Sequence, residues 1–118
     1  MTQGARTDRV GEEFREILAQ EIPKLKDPRV GFVTVLGVTV SPDLRHAWVA
    51  YTTLGEDKEK AGTRAALRSA KPHLRAVLGR QVRLKYLPEL EFEEDTSHEQ
   101  ASRIDELIAG LRASEDGA

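Results

Sequence analysis

Residues 32–54 read FVTVLGVTVSPDLRHAWVAYTTL. From Phe32 to Val40 the chain alternates valine and threonine around Leu36 and Gly37, a composition whose β-branched side chains crowd a helix and suit a pleated sheet. Ser41-Pro42-Asp43 is a turn signal, because proline fixes φ while serine and aspartate bond to nearby backbone. Ala47 to Leu54 is again rich in strand formers, so the stretch predicts an antiparallel hairpin. Alternation then turns Ala47, Val49 and Tyr51 to one side of the sheet and Trp48 to the other.

Upstream, Val10, Phe14, Ile17, Leu18 and Leu25 recur at helical spacing, which predicts a first helix from about Asp8 to Glu21, closed by Pro23 and Asp27-Pro28. Downstream, Leu67, Ala70, Leu74, Val77 and Leu78 mark the inner side of a second helix. Pro72 lies inside it. A proline there lacks an N–H and crowds the preceding turn, at about 3 kcal/mol, so the expectation is a kink or break at Ala70 and Lys71 that leaves two helical pieces. Val82, Leu84, Tyr86, Leu90 and Phe92 alternate as in a half-buried third strand. Thr96 to Glu99 and Ser97 to Gln100 match capping boxes, opening a last helix with Ile104, Leu107, Ile108 and Leu111 inward. The fold expected is α+β, in the order α-β-β-α(kinked)-β-α, with three strands and the helices on one face of the sheet. Residues 6–112 make a single domain, with residues 1–5 and 113–118 as disordered tails.

Charge is distributed unevenly. The chain has 18 basic and 20 acidic side chains and a formal charge of −2. Yet Lys60, Arg64, Arg68, Lys71, Arg75, Arg80, Arg83 and Lys85 fall in one segment, 60–86, that holds no aspartate or glutamate. The remaining residues therefore carry ten basic against twenty acidic side chains. Lys60, Arg64, Arg68, Lys71 and Arg75 follow the helical repeat and form one stripe, which with no acid inside the segment reads as a polyanion-binding surface rather than a merely solvated face. Arg29 is placed either in an ion pair with a helix or on RNA. Trp48, on the open side of the sheet, either stacks on a base or shields the sheet. Arg9 and Arg15 stand among Glu12, Glu13 and Glu16 and are expected to pair within the helix.

Other functions find little support. There is no cysteine, so disulfides, thiolate metal sites and cysteine nucleophiles are excluded. No apolar run approaches the ~18 residues of a membrane span. Glu93, Glu94 and Asp95 near His98 could hold a divalent metal, but no second shell is legible, and Gly55, Gly62 and Gly79 are isolated rather than a phosphate-cradling loop. Neither catalysis nor a cofactor nor a metal is expected, and a soluble cytoplasmic protein is.

Several segments of this chain resemble the ribosome-binding factor A family of bacterial small-subunit assembly factors. They are Arg9-Val10, Asp27-Pro28-Arg29, then Val38, Val40, Ser41, Asp43, Leu44, Ala47 and Val49 across the hairpin, Arg75, Pro88-Glu89-Leu90 with Phe92 and Asp95, and Arg103-Ile104. Together they span about Arg6 to Leu111. The resemblance implies a type II K-homology domain that binds 16S ribosomal RNA in the maturing 30S subunit without catalysis; the expected partner is the free 30S subunit, with ribosomal proteins as further candidates, and the chain is expected to be a monomer. It also implies a helix interruption at an Ala-x-Gly motif, matched here by Ala70-Lys71-Pro72, with proline where the family often has glycine. Two alternatives stay open: a protein-binding adaptor using the acidic surface around Glu89–Glu94, and a general K-homology-like RNA-binding module.

Overall fold

A computed structural model describes residues 2–97 and Ile108. Helix α1 (Thr2–Glu21) continues into a 3-10 turn (Ile22–Lys24), followed by β1 (Val33–Val40), β2 (His46–Thr53), α2 (Asp57–Gln81) and β3 (Glu89–Glu94). The sheet order is β1-β2-β3. β1 and β2 form the expected antiparallel hairpin, and β3 lies parallel to β2 with α2 as the crossover. A helix, two strands, a helix and a strand with this mixed pairing is a K-homology-like, type II arrangement.

The hairpin has one irregularity that its sequence hides. Val35 faces Tyr51 and Gly37 faces Ala50, so Leu36 is an extra residue, a β-bulge. The bulge resets the phase of β1, which is why Val33 and Val35 point inward before it and Val38 and Val40 after it. These residues join Ala47, Val49 and Tyr51 of β2 and Leu90 of β3 on the inner face, beneath Phe14, Leu18 and Ile22 of α1 and Leu67, Leu74 and Leu78 of α2. Burying each valine, leucine, isoleucine or phenylalanine among them stabilises the domain by about 1.5–3 kcal/mol. α1 approaches β1 closely at Gly11, where a Cβ would sit 2.5 Å from the carbonyl oxygen of Val38.

Three sequence expectations are corrected. First, α2 is a single α-helix from Asp57 to Gln81 with Pro72 inside it, not two pieces meeting at Ala70 and Lys71. Proline deletes one hydrogen bond, to the carbonyl of Arg68. Both residues are exposed, so water can satisfy that carbonyl, while Ala66, Leu67, Leu74, Val77 and Leu78 anchor the helix on both sides of the proline. Second, the strand begins at Glu89 rather than near Val82. Glu89 pairs with His46, the first residue of β2. Beyond His46 the hairpin turns away, so residues 82–88 have no ladder to join; Val82 and Leu84 are half-buried at the core rim and Tyr86 is 48% exposed. Third, Ile108, expected inward, is helical and exposed. The rest of the expected last helix, beyond Ser97, lies outside the described residues. The N–H of Ser97 donates to Asp95 Oδ1 at 2.8 Å; Glu99 and Gln100, the partners in the two expected capping boxes, lie outside the described residues.

Candidate nucleic-acid interface

The eight basic residues of segment 60–86 do not share one environment. On the flank of α2 that faces β3, Arg64 meets Glu94 (3.5 Å), Lys71 meets Glu91 (3.7 Å) and Arg75 meets Glu89 (3.2 Å). Segment 60–86 lacks acids, but the parallel crossover carries β3 back along α2 and supplies them from the next strand. Arg75 does more than pair: its Nε donates to the Pro88 carbonyl at 2.8 Å and Nη2 to the Leu87 carbonyl at 3.3 Å. It holds the segment before β3 against the helix. Lys71 and Arg75 are accordingly only part-exposed, contrary to a stripe lying wholly in solvent. Arg64 also serves the core. Burial pushes the Tyr51 hydroxyl up, Glu94 pushes the same way, and Arg64 pulls against both.

Arg68, Arg80 and Arg83 are exposed, and none forms an ion pair among the described residues. Lys85 lies 5.6 Å from the Tyr86 ring centroid. Lys60 is half-buried in a cleft with Leu54, Glu94 and Asp95. Of the helix-interruption residues, Ala70 borders a cleft of about 430 Å³ against Lys24, Leu25, Lys26 and Asp27, and Pro72 is exposed on a continuous helix.

Arg29 forms an ion pair, with Asp27 of its own turn rather than with a helix. Its Nη2 and Nε donate to Asp27 at 2.6 and 3.0 Å, and Nη2 reaches Ser69 Oγ at 3.4 Å. Hydrogen bonds from Arg29, side chain before backbone, hold the Asp27 carboxyl down to about 2. Beside this turn, Thr63 Oγ1 accepts from the Gly31 N–H (3.0 Å) and donates to the Arg29 carbonyl (3.3 Å), fastening the loop to α2. Arg15 pairs with Glu12 as expected, whereas Arg9 forms no ion pair among the described residues.

Trp48 does face outward, 37% exposed, stacked on His46 at 6.2 Å. Its neighbour across β3 is Glu91, and His46 stands beside Glu89. Carboxylates therefore flank the aromatic pair, each of them also paired with a cation of α2. Among the described residues no group of three or more histidines and carboxylates is placed to hold a metal ion, and His98 lies outside them. No described helix is long and apolar enough to cross a membrane.

Sequence reading passed over Arg6, Arg45 and Tyr86. The Arg45 guanidinium lies 4.3 Å from the Tyr86 ring centroid. Arg6, Arg83, Lys85 and Tyr86 border a cleft of about 180 Å³ together with Asp43 and Leu44 of the β1–β2 turn. No periodicity announces this group, because it joins the start of α1, a turn and an irregular connection.

Residues 6–108 match the family described as ribosome-binding factor A. The chain is 40% identical over 113 residues to ribosome-binding factor A of Geobacter sp. strain M21, covering 95% of each chain. The crystal structure of ribosome-binding factor A from Thermus thermophilus superposes with a TM-score of 0.67 at 34% identity, covering 75% of this chain and 94% of that one. A homology model of the Thermus thermophilus factor, fitted into a cryo-EM map of a 30S complex, gives 0.65 at 33% identity over 76% and 96%. With matching sequence over nearly its whole length and a matching fold, this chain belongs to the ribosome-binding factor A family.

Proposed function

We propose that this chain is a non-catalytic assembly factor that binds the free 30S subunit in the cytoplasm and contacts 16S rRNA phosphates through Arg68, Arg80, Arg83 and Lys85. Membership of its family and the 30S complex of the Thermus thermophilus relative support the partner. The observation that carries the choice of residues is the division of the basic segment: Arg64, Lys71 and Arg75 are occupied by β3 carboxylates, and these four are not. A cation already engaged releases less free energy on meeting a phosphate, since its first partner must be given up. The same pairs engage Glu89, Glu91 and Glu94, which weakens the case for the acidic surface as a protein-docking site.

The test is co-sedimentation with 30S subunits over a series of salt concentrations. Four phosphate contacts give a log-log slope of about −3 to −4, at ~0.7–0.9 per contact. Arg68→Glu with Arg80→Glu should weaken binding strongly and flatten the slope by about 1.4–1.8, with an unchanged circular dichroism spectrum because both side chains are exposed. Wild-type co-sedimentation of this double variant would defeat the assignment.

A further inference from the structure

We propose that the surface where the β1–β2 turn meets residues 83–86 is a nucleotide site: it holds one phosphodiester of single-stranded RNA and lets the adjoining base extend the Arg45–Tyr86 stack. The inference rests on the RNA-binding reading above and gives it a location away from the α2 stripe.

Charge gives the ligand its sign. Arg6, Arg83 and Lys85 border the cleft and Arg45 stands beside it, all four exposed. Among the described residues no carboxylate pairs with any of them. The one acid at the rim, Asp43, is already used: its Oδ1 accepts from Ser41 Oγ at 2.7 Å and from the Arg45 N–H at 3.0 Å. The Ser41 hydroxyl first, then the Arg45 amide, holds its carboxyl below the ordinary value. Asp43 is thus a fixed negative charge against four positive ones, and a monoanionic phosphodiester is attracted on balance. The cleft, about 180 Å³, accepts a phosphate with part of its ribose and leaves the base outside.

Stacking gives the ligand its class. Tyr86 is 48% exposed, and the Arg45 guanidinium already lies over its ring. Guanidinium planes and aromatic rings both receive unstacked bases, whereas duplex RNA keeps its bases paired and out of reach.

Preorganisation shows that the walls are built rather than incidental. Leu44 adopts φ 61, in the left-handed region, which costs a branched non-glycine residue about 1 kcal/mol or more. The turn sustains it through Leu44 N–H to the Ser41 carbonyl (2.9 Å), Ser41 N–H to the His46 carbonyl (2.9 Å) and His46 N–H to Ser41 Oγ (3.0 Å). The opposite wall is tied to the turn by the Glu89 N–H donating to the Arg45 carbonyl at 2.7 Å, and to α2 by Arg75.

The experiment uses the full chain, a fluorescein-labelled single-stranded RNA hexanucleotide of mixed sequence, and 30S subunits. Tyr86→Ala should weaken hexanucleotide binding about 5- to 150-fold, the range for one stacked base, without altering the salt slope. Tyr86→Phe should bind as wild type. Arg6→Ala with Arg45→Ala should flatten the slope by about 1.4–1.8. Melting temperatures should not move. Undiminished binding by all three variants, while Arg68→Glu with Arg80→Glu still loses 30S subunits, would remove this site and leave the function standing. Failure of the wild-type chain to bind either RNA or 30S would remove both. Equal affinity for a glutamate hexapeptide, with the same sensitivity to Tyr86→Ala, would reassign the surface to an acidic protein segment and overturn the proposal. So would a loss of binding in Tyr86→Ala that Tyr86→Phe shares.

Discussion

Arg75→Ala should unfold this domain at a markedly lower temperature, although arginine at a mostly polar surface is ordinarily replaceable. The side chain donates to two backbone carbonyls, Pro88 at 2.8 Å and Leu87 at 3.3 Å, and meets Glu89 at 3.2 Å. Pro88 is buried, so truncation strands its carbonyl without a partner. A hydrogen bond from a charged donor contributes about 1.5–3 kcal/mol, and the longer contact to Leu87 less. The ion pair adds ~0–1 kcal/mol, because the Glu89 side chain is 60% exposed. The expected loss is about 2–3 kcal/mol. At roughly 4 °C per kcal/mol for a chain of this size, the midpoint falls by about 8–12 °C. Thermal melts followed by circular dichroism measure it. Arg75→Lys is the informative companion: it keeps the charge but loses the planar fork that reaches two carbonyls, and should be nearly as unstable. A fall of less than about 3 °C in the alanine variant, or full stability in the lysine variant, would refute the clasp. Until then a binding defect in any Arg75 variant reports stability as readily as contact with RNA.

Pro72→Ala should stabilise the protein by about 1–3 kcal/mol in urea, since the helix is already continuous and alanine restores the missing N–H; an unchanged or lower midpoint would show that the helix accommodates proline at no cost. Asp27 should titrate by carbon-detected NMR at about 2 instead of its ordinary 3.8, and Arg29→Ala should return it to that range. The sign follows from a folded pKa depressed below the unfolded one. Any stability Asp27 lends is present above about pH 4 and lost as pH falls toward 2, and melting between pH 7 and pH 5 is indifferent to it. A titration near 4 in the wild-type chain would show that the Asp27–Arg29 turn does not persist in solution.

The strands of the hairpin were legible because valine and threonine repeats have few alternatives, and α1 because Phe14 and Leu18 repeat at helical spacing. β3 was mislocated for a reason local pattern cannot supply. Val82, Leu84 and Tyr86 alternate as a strand does, but a strand needs a neighbour, and whether one exists depends on where β2 begins. The bulge at Leu36 is invisible for the same reason, since only the pairing of Val35 and Gly37 with Tyr51 and Ala50 reveals it. Pro72 misled in the opposite direction: its local cost was read correctly, but the apolar residues buried on either side of it outweigh the loss of one hydrogen bond. In the candidate site the basic residues were readable one by one. Their partners were not, because Glu89, Glu91 and Glu94 reach α2 only through the crossover.

That crossover also decides which way the molecule is polarised. Because β2 and β3 run parallel, α2 must return against them, so its last turn with Arg80 and the residues after it arrive where His46 and Glu89 begin. Arg45, Arg83 and Lys85 gather at that end, joined by Arg6. Glu56, Asp57 and Glu59, with Lys58 and Lys60 beside them, open α2 at the other end, where β3 finishes in Glu94 and Asp95 follows. Between the two ends the β3 carboxylates neutralise the flank of the helix. A basic segment that reads as a lateral stripe in sequence thus becomes, once folded, a field directed along the strands. On the RNA-binding reading proposed above, such a field favours an approach with Tyr86, the strained turn at Leu44 and the α2 residues Arg68 and Arg80 toward the phosphates and the acidic end away from them.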